Sequence, residues 1–210
     1  MMNYSMRYLI NISTIFLLCT LAFVCEARTD EIKIVSLGTS CTAGKGVGKS
    51  YAFPAKLEAM LRAAGKNVRV INQGRDGDST VNLLGRLHKS VPEGIDIVVY
   101  EYAYGNEKRA GIPKEKTIEN SEKIISQLVA RNIEVLLVIR GNNQEQLQNR
   151  TKRFRKIIKK YDILYLPIEQ PFSTLQNDHQ HPSIKGHEAI AAEMVSPISK
   201  LIARVKARHQ

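Results

Sequence analysis

Ile32-Lys33-Ile34-Val35-Ser36-Leu37 leads directly into Gly38-Thr39-Ser40-Cys41-Thr42-Ala43-Gly44. A short run rich in Ile, Val and Leu reads as a strand buried on both faces. The small residues after it turn the chain at the rim of a sheet. The same design recurs at 68–72, 97–101, 134–140 and 163–167. Longer segments of helical period fall near 50–64, 79–90, 114–131, 144–160 and 183–205. Regular alternation of strand and helix predicts a parallel sheet covered by helices on both faces. The expected fold is therefore a three-layer α/β/α domain with five strands. In such folds ligands bind outside the carboxyl ends of the strands.

No repeat, low-complexity segment or linker interrupts 28–210, so that span is expected to be one domain. The residues before it read differently. Arg7 gives a positive start, 8–24 is almost uncharged and apolar, and Cys25-Glu26-Ala27 offers a small-x-small cleavage pattern. This predicts a signal peptide over 1–27 and a periplasmic or secreted mature chain. The competing reading is a retained anchor, for which the run is at the short edge of the roughly 17–25 residues a span requires. Cleavage would remove Cys19 and Cys25 and leave Cys41 as the one thiol, so no internal disulfide is expected.

The formal net charge is +11. Much of the excess sits in Lys152-Arg153-Phe154-Arg155-Lys156 with Lys159-Lys160, and in the tail at 200–208. Both stretches read as helices with solvated basic faces; the sharper reading is weak attraction to an anionic envelope surface. Export and the lack of aromatics interleaved with the basic runs argue against nucleic acid as a partner.

The strand ends carry the chemistry. The first ends at Ser40. The second ends in Asn72-Gln73-Gly74-Arg75-Asp76-Gly77-Asp78-Ser79-Thr80, a glycine-containing turn into a helix whose backbone N–H groups suit an anion. The third ends in Glu101-Tyr102-Ala103-Tyr104-Gly105-Asn106-Glu107, which offers an amide. After the fifth comes Asn177-Asp178-His179-Gln180-His181-Pro182, a carboxylate three residues before a histidine. Acyl transfer needs a hydroxyl, an imidazole to take its proton, a carboxylate to fix the tautomer, and N–H donors for the oxyanion. All four kinds of group fall at the same edge of the predicted sheet.

Gly38-Thr39-Ser40-Cys41, Gly77, Asn106 and Asp178-x-x-His181-Pro182 together resemble the four sequence blocks of the GDSL/SGNH hydrolases, closest to the small bacterial periplasmic thioesterase/lysophospholipase/arylesterase group. The resemblance covers nearly all of 28–210 and includes Phe53-Pro54, Asn72 and Ile139-Arg140. It implies a flavodoxin-like SGNH hydrolase fold and hydrolysis of a carboxylic ester or thioester through an acyl-serine, with no metal and no cofactor. Substrates of that group are small-molecule, lipid or glycan esters. It implies Ser40 as nucleophile, His181 as base and then acid, and Asp178 as the group orienting it. The Ser40 and Gly77 N–H groups and the Asn106 side chain would form the oxyanion hole. His179 is the rival base; His88, His187 and His209 read as structural or solvated. Thr39 stands where the family usually has Asp and Cys41 where it has Leu. The third block has Tyr104 for a Gly and one extra residue, which bears on the reach of Asn106.

Three alternatives remain at this level. A catalytically silent exported binding protein would explain the altered first and third blocks. Ala43-Gly44-Lys45-Gly46-Val47-Gly48-Lys49-Ser50 fits a loose phosphate-loop pattern, which would make the chain an NTPase. Cys41 could replace Ser40 as nucleophile. The phosphate loop begins too far past Leu37, and an NTPase gives no role to Asp178 and His181.

Overall fold

The structure, a computed structural model, describes residues 31–102 and 104–209. The expected signal peptide at 1–27 lies outside them. Five strands form one sheet: β1 (Ile32–Gly38), β2 (Val68–Gly74), β3 (Ile97–Tyr102), β4 (Glu134–Gly141) and β5 (Leu164–Glu169). Their order is β2-β1-β3-β4-β5, parallel throughout. The helices are α1 (Ser40–Ala43), α2 (Phe53–Ala63), α3 (Thr80–Gly85), α4 (Leu87–Ser90), α5 (Tyr104–Arg109), α6 (Lys114–Val129), α7 (Gln144–Tyr161) and α8 (Ile184–Arg208). The predicted α/β/α sandwich is the observed one.

Because side chains alternate along a strand, each central strand feeds two cores. Val35, Leu37, Val98, Tyr100, Val135 and Leu137 pack with Leu83, Ile124, Leu128 and Phe154 from α3, α6 and α7. Ile34, Ile97, Val99, Leu136 and Val138 pack on the other face with Phe53, Leu57 and Leu61 of α2 and Met194, Ile198 and Leu201 of α8. Burial on both faces holds for β1, β3 and β4. The edge strands depart from that expectation: β2 is mostly half-buried and β5 alternates, with Tyr165 exposed. A strand with one neighbour receives less helix cover, so its outer positions stay wet.

The helix at 79–90 is two short ones, α3 and α4, divided at Arg86. Arg86 is buried in that turn, donating to Asp78 Oδ2 at 2.6 Å, to Ser90 Oγ at 2.8 Å and to Gly38 O at 3.0 Å. The break thus fastens the turn after β2 to the end of β1. On α7, Asn143 caps the start by accepting from the Gln146 N–H at 2.9 Å. The basic side chains Lys152, Arg155, Lys156, Lys159 and Lys160 face solvent, as the plainer reading expected. Among the described residues no helix is long and apolar enough to cross a membrane.

Two glycines at strand ends let the backbone close over the sheet. A Cβ at Gly74 would stand 2.1 Å from Ala43 N, and one at Gly38 would stand 2.7 Å from Glu101 Oε2. The Gly74 neighbour is backbone and cannot swing aside. Gly74→Ala is therefore expected to destabilise by about 1–3 kcal/mol through overpacking. Urea unfolding midpoints of the two proteins measure it, and an unchanged midpoint would contradict the close approach.

Candidate active site

β1 delivers Ser40 to the carboxyl edge of the sheet, at the first residue of the single-turn α1. Ser40 is 5% exposed, so its hydroxyl sits at the floor of a cleft rather than on a surface. Beneath it lies Glu101, the last-but-one residue of β3 and fully buried. Its Oε2 accepts from the Thr42 N–H at 3.1 Å, the Thr39 N–H at 3.4 Å and the Thr42 hydroxyl. Its Oε1 accepts from Arg140 Nε at 3.1 Å and Nη2 at 2.7 Å. Burial opposes the charge, but Arg140 and the Thr42 and Thr39 donors outweigh it and hold the carboxyl below its usual value. The turn that presents Ser40 is thus clamped from below by an ionised carboxylate.

Asp178 and His181 lie in the loop between β5 and α8, which is tied at several points. Gln176 N donates to His181 O at 2.8 Å, Ser183 N to Thr174 O at 2.9 Å, and Gln176 Nε2 to both Pro182 O and Lys45 O at 2.8 Å. Ser183 caps α8 by accepting from the Gly186 N–H at 3.1 Å. Within this frame Asp178 Oδ2 lies 2.5 Å from His181 Nδ1, and His181 Nε2 lies 2.9 Å from Ser40 Oγ. Asp178 Oδ1 also accepts from the Gln180 and His181 N–H groups, each at 3.0 Å. Partial burial pulls this carboxyl up. The His181 backbone and ring and the Gln180 N–H more than offset it, so Asp178 is held well below the ordinary carboxylate range. An ionised Asp178 accepts from Nδ1–H, which leaves Nε2 unprotonated and able to accept the Ser40 proton. The relay runs hydroxyl, imidazole, carboxylate.

The cleft encloses about 190 Å³, and its wall includes Ser40, His181, Asn106, Tyr102, Tyr104 and Cys41. Asn106 is brought to the cleft by α5, despite the extra residue in its block. One hydrogen of its Nδ2 goes to Asp78 O at 2.7 Å, and its Oδ1 accepts from Arg109. The second Nδ2 hydrogen is not taken by that bond. Gly77 has φ +81° and lies in the turn after β2, but it is not among the cleft-lining residues, and its N–H interacts with the Asp76 carboxylate. Ser40 and Asn106 are therefore gathered in the cleft, and Gly77 is not.

The other candidates fall away from the relay. His179 is exposed at the cleft mouth with φ +54°, and Ser40 contacts His181 instead. Cys41 is buried, and burial pushes its thiol up to about 12 although Arg140 Nη2, 2.6 Å from Sγ, pulls the other way. A thiol held protonated is a poor nucleophile. In the suspected phosphate loop the N–H groups of Val47 and Gly48 both donate to Gly44 O, and those of Tyr51 and Ala52 donate to Gly48 O and Lys49 O. Lys45 pairs with Asp76 at 2.8 Å. These N–H groups close turns of their own rather than framing an anion, which removes the physical basis of the NTPase reading. Among the described residues no group of three or more His, Cys, Asp or Glu side chains is placed to hold a metal ion.

His88 is exposed, and His187 is fully buried on α8, its Nδ1 accepting from the Phe53 N–H at 3.2 Å. Burial, with Arg140 adding to it, lowers His187 to about 4 from 6.5. The unfolded chain therefore binds a proton in this window that the folded chain refuses. Stability should fall by roughly 3 kcal/mol as pH drops from the unfolded value to the folded one. Asp178 and Glu101 have lowered pKa values, so their contributions are lost at still lower pH. His187→Gln should flatten the upper part of the slope, which urea titrations at about pH 4.5 and pH 7 would resolve. An identical slope in both proteins would remove His187 as its source.

The fold, the strand order and the Ser–His–Asp geometry agree with the resemblance to GDSL/SGNH hydrolases that the sequence blocks carry. No family model matches the chain. Its likeness to known proteins is nonetheless consistent. It is similar to an arylesterase of Vibrio mimicus, 29% identical over 125 residues, a match spanning 58% of this chain and 62% of that relative's length. Among solved structures it resembles AlinE4, an SGNH-hydrolase family esterase, at 28% identity and a TM-score of 0.61 over 81% of this chain and 96% of that one. It also resembles a lipase/acylhydrolase from Enterococcus faecalis at 26% identity and a TM-score of 0.68, covering 80% and 95%.

Several groups at the site were not singled out from sequence. Glu101 appears there only as the last residue of the third apolar run, with no role of its own, and Arg86 lies within an ordinary helical pattern. Arg109, Arg150 and Gln170, all at the cleft, carry no local signal. The charge of Glu101 at the end of an otherwise apolar run was the one usable hint.

Proposed function

We propose that this chain is an exported serine esterase that hydrolyses small carboxylic esters or thioesters through an acyl-serine intermediate. The observation that carries the reading is the continuous relay from Ser40 Oγ through His181 to Asp178, at 2.9 and 2.5 Å, at the floor of a cleft. Ser40 Oγ attacks the ester carbonyl while His181 Nε2 takes its proton. His181 then returns that proton to the leaving alkoxide or thiolate, and the acyl group stays on Oγ. In the second half a water gives its proton to His181 and attacks the acyl carbon, and Ser40 recovers its hydrogen as the acid leaves. Asp178 keeps the imidazole in the required tautomer and stabilises the imidazolium. The Ser40 N–H and the Asn106 Nδ2 are the donors nearest to hand for the oxyanion. Gly77, whose N–H interacts with Asp76, is not counted among them. Similarity to an arylesterase and to an SGNH esterase favours oxygen esters among the alternatives. Export rests on the leader pattern at 1–27.

The test is hydrolysis of p-nitrophenyl acetate and butyrate by purified 28–210, with labelling by a fluorophosphonate located by peptide mass mapping. Labelling at Ser40 with turnover is expected. Folded protein that neither turns over nor labels would establish the silent binding protein instead. A chain carrying 1–27 should be processed and recovered outside the cytoplasm when expressed in a bacterial host. Retention of the full-length form inside would reject export.

A further inference from the structure

The cleft beside Ser40 has an unusual charge balance. Its wall contains three arginines, Arg109, Arg140 and Arg150, and no Asp or Glu. The carboxylates nearby are already committed: Glu101 to Arg140, Asp178 to His181, Asp78 to Arg86 and Asp76 to Lys45. Arg140 is thereby neutralised, but Arg109 and Arg150 are not. Arg109 donates only to neutral acceptors, Gln180 Oε1 at 3.2 Å and Asn106 Oδ1. Arg150 donates to Arg140 O and to Gln146 Oε1 at 3.2 Å, with its guanidinium 4.6 Å over the Tyr104 ring. Among the described residues neither forms an ion pair with a carboxylate.

A second observation points the same way. Gln170, 4% exposed and on the cleft wall, gives its Oε1 to Arg140 and leaves its Nε2 without an acceptor. A buried donor with no partner costs roughly 1–3 kcal/mol, so the site is short of an acceptor. Burial pulls Arg150 below its usual value, and the neighbouring Arg140 and Arg153 add to that pull, a strain an anion would relieve. Two uncompensated guanidiniums and an idle amide donor suit an oxyanion much better than an alkyl chain.

We infer that this cleft holds an oxyanion next to the scissile bond, so that the preferred ester carries a carboxylate or phosphate on its acyl or alcohol part. The term ester rests on the esterase reading above; the anion subsite does not. Arg150 and Arg109 are its specificity-determining residues, and Gln170 supplies a third donor.

Binding separates the two ideas. Titration calorimetry of the wild type and of Ser40→Ala would compare 4-hydroxybenzoate with the isosteric neutral 4-hydroxybenzamide, and phenyl phosphate with both. The anions are expected to bind about tenfold or more tighter than the amide, with affinity falling as salt rises. The tighter of benzoate and phosphate identifies which oxyanion the site prefers. Arg150→Gln and Arg109→Gln, checked for folding by circular dichroism, should each erode that preference; the exposed Arg109 keeps the test alive if the Arg150 variant misfolds. Hydrolysis of 4-acetoxybenzoate should likewise exceed that of 4-acetoxybenzamide. Equal binding of anion and amide, or a preference untouched in both variants, overturns the subsite whether or not the esters are cleaved. Arginine-dependent anion binding without cleavage of either ester keeps the subsite and removes the esterase.

Discussion

Ser40→Ala is expected to lower kcat/KM for p-nitrophenyl esters by roughly 10⁴-fold or more, leaving the fold intact. The size of the effect follows from how the groups act together. His181 Nε2 meets Ser40 Oγ at 2.9 Å, and Asp178, 2.5 Å from Nδ1, aims and charge-balances that imidazole. Without the hydroxyl neither partner has a proton to move. Ala also removes little packing, because the hydroxyl faces the cleft, so unfolding midpoints should agree between the two proteins. Cys41 is the natural internal control. Its thiol is buried, protonated and turned to Arg140, so Cys41→Ala should retain most of the rate. The reverse pattern, a dead Cys41→Ala and an active Ser40→Ala, would reassign the nucleophile. Equal rates for both variants and the wild type would mean that the turnover does not arise at this cleft.

What the sequence revealed about this site depended on how local each signal was. The strands are apolar runs bounded by turn residues, and they fall where the runs lie; β1, β3 and β4 extend one residue beyond the expected ends, β2 and β5 two, and β5 starts one residue later. Asp178 and His181 are three residues apart in one loop, so their partnership is legible before folding. Ser40 stands 141 residues from His181, and only the convergence of strand ends at one edge of a parallel sheet joins them. The remainder is tertiary. α5 is Tyr-Gly-Asn-Glu-Lys-Arg, with no apolar period to announce a helix. Arg140, Arg150 and Arg109 come from β4, α7 and α5, and nothing in a basic run tells which member turns inward. Arg150 does so and Lys152 does not. A glycine turn is visible in sequence, but the direction of the Gly77 N–H is set by Asp76 beside it, and no pattern encodes that.

Glu101→Gln is expected to destabilise the protein by about 3–5 kcal/mol, because it strands the buried Arg140 charge without a counter-ion. The substitution is isosteric, so no cavity confuses the result. Arg140 is 16% exposed at its side chain and cannot reach bulk water without rearranging the strand end. Its remaining acceptors are neutral, Gln170 Oε1 and the Cys41 sulfur. Adding Arg140→Met should recover much of the loss, since replacing both members of a buried pair by groups of similar size is often nearly neutral. Activity should not recover with stability. Glu101 Oε2 also accepts from the Thr39 and Thr42 N–H groups and so fixes the turn that aims Ser40 at His181. An amide oxygen holds them less strongly than a carboxylate, and the shift would be felt in kcat more than in KM. Chemical unfolding of the single and double variants, with rates measured on folded protein, separates the two roles. A Glu101→Gln protein within about 1 kcal/mol of wild type would show that the Arg140 charge finds water after all. A double variant recovering both stability and rate would mean that the carboxylate serves only to neutralise Arg140, with no part in setting the nucleophile.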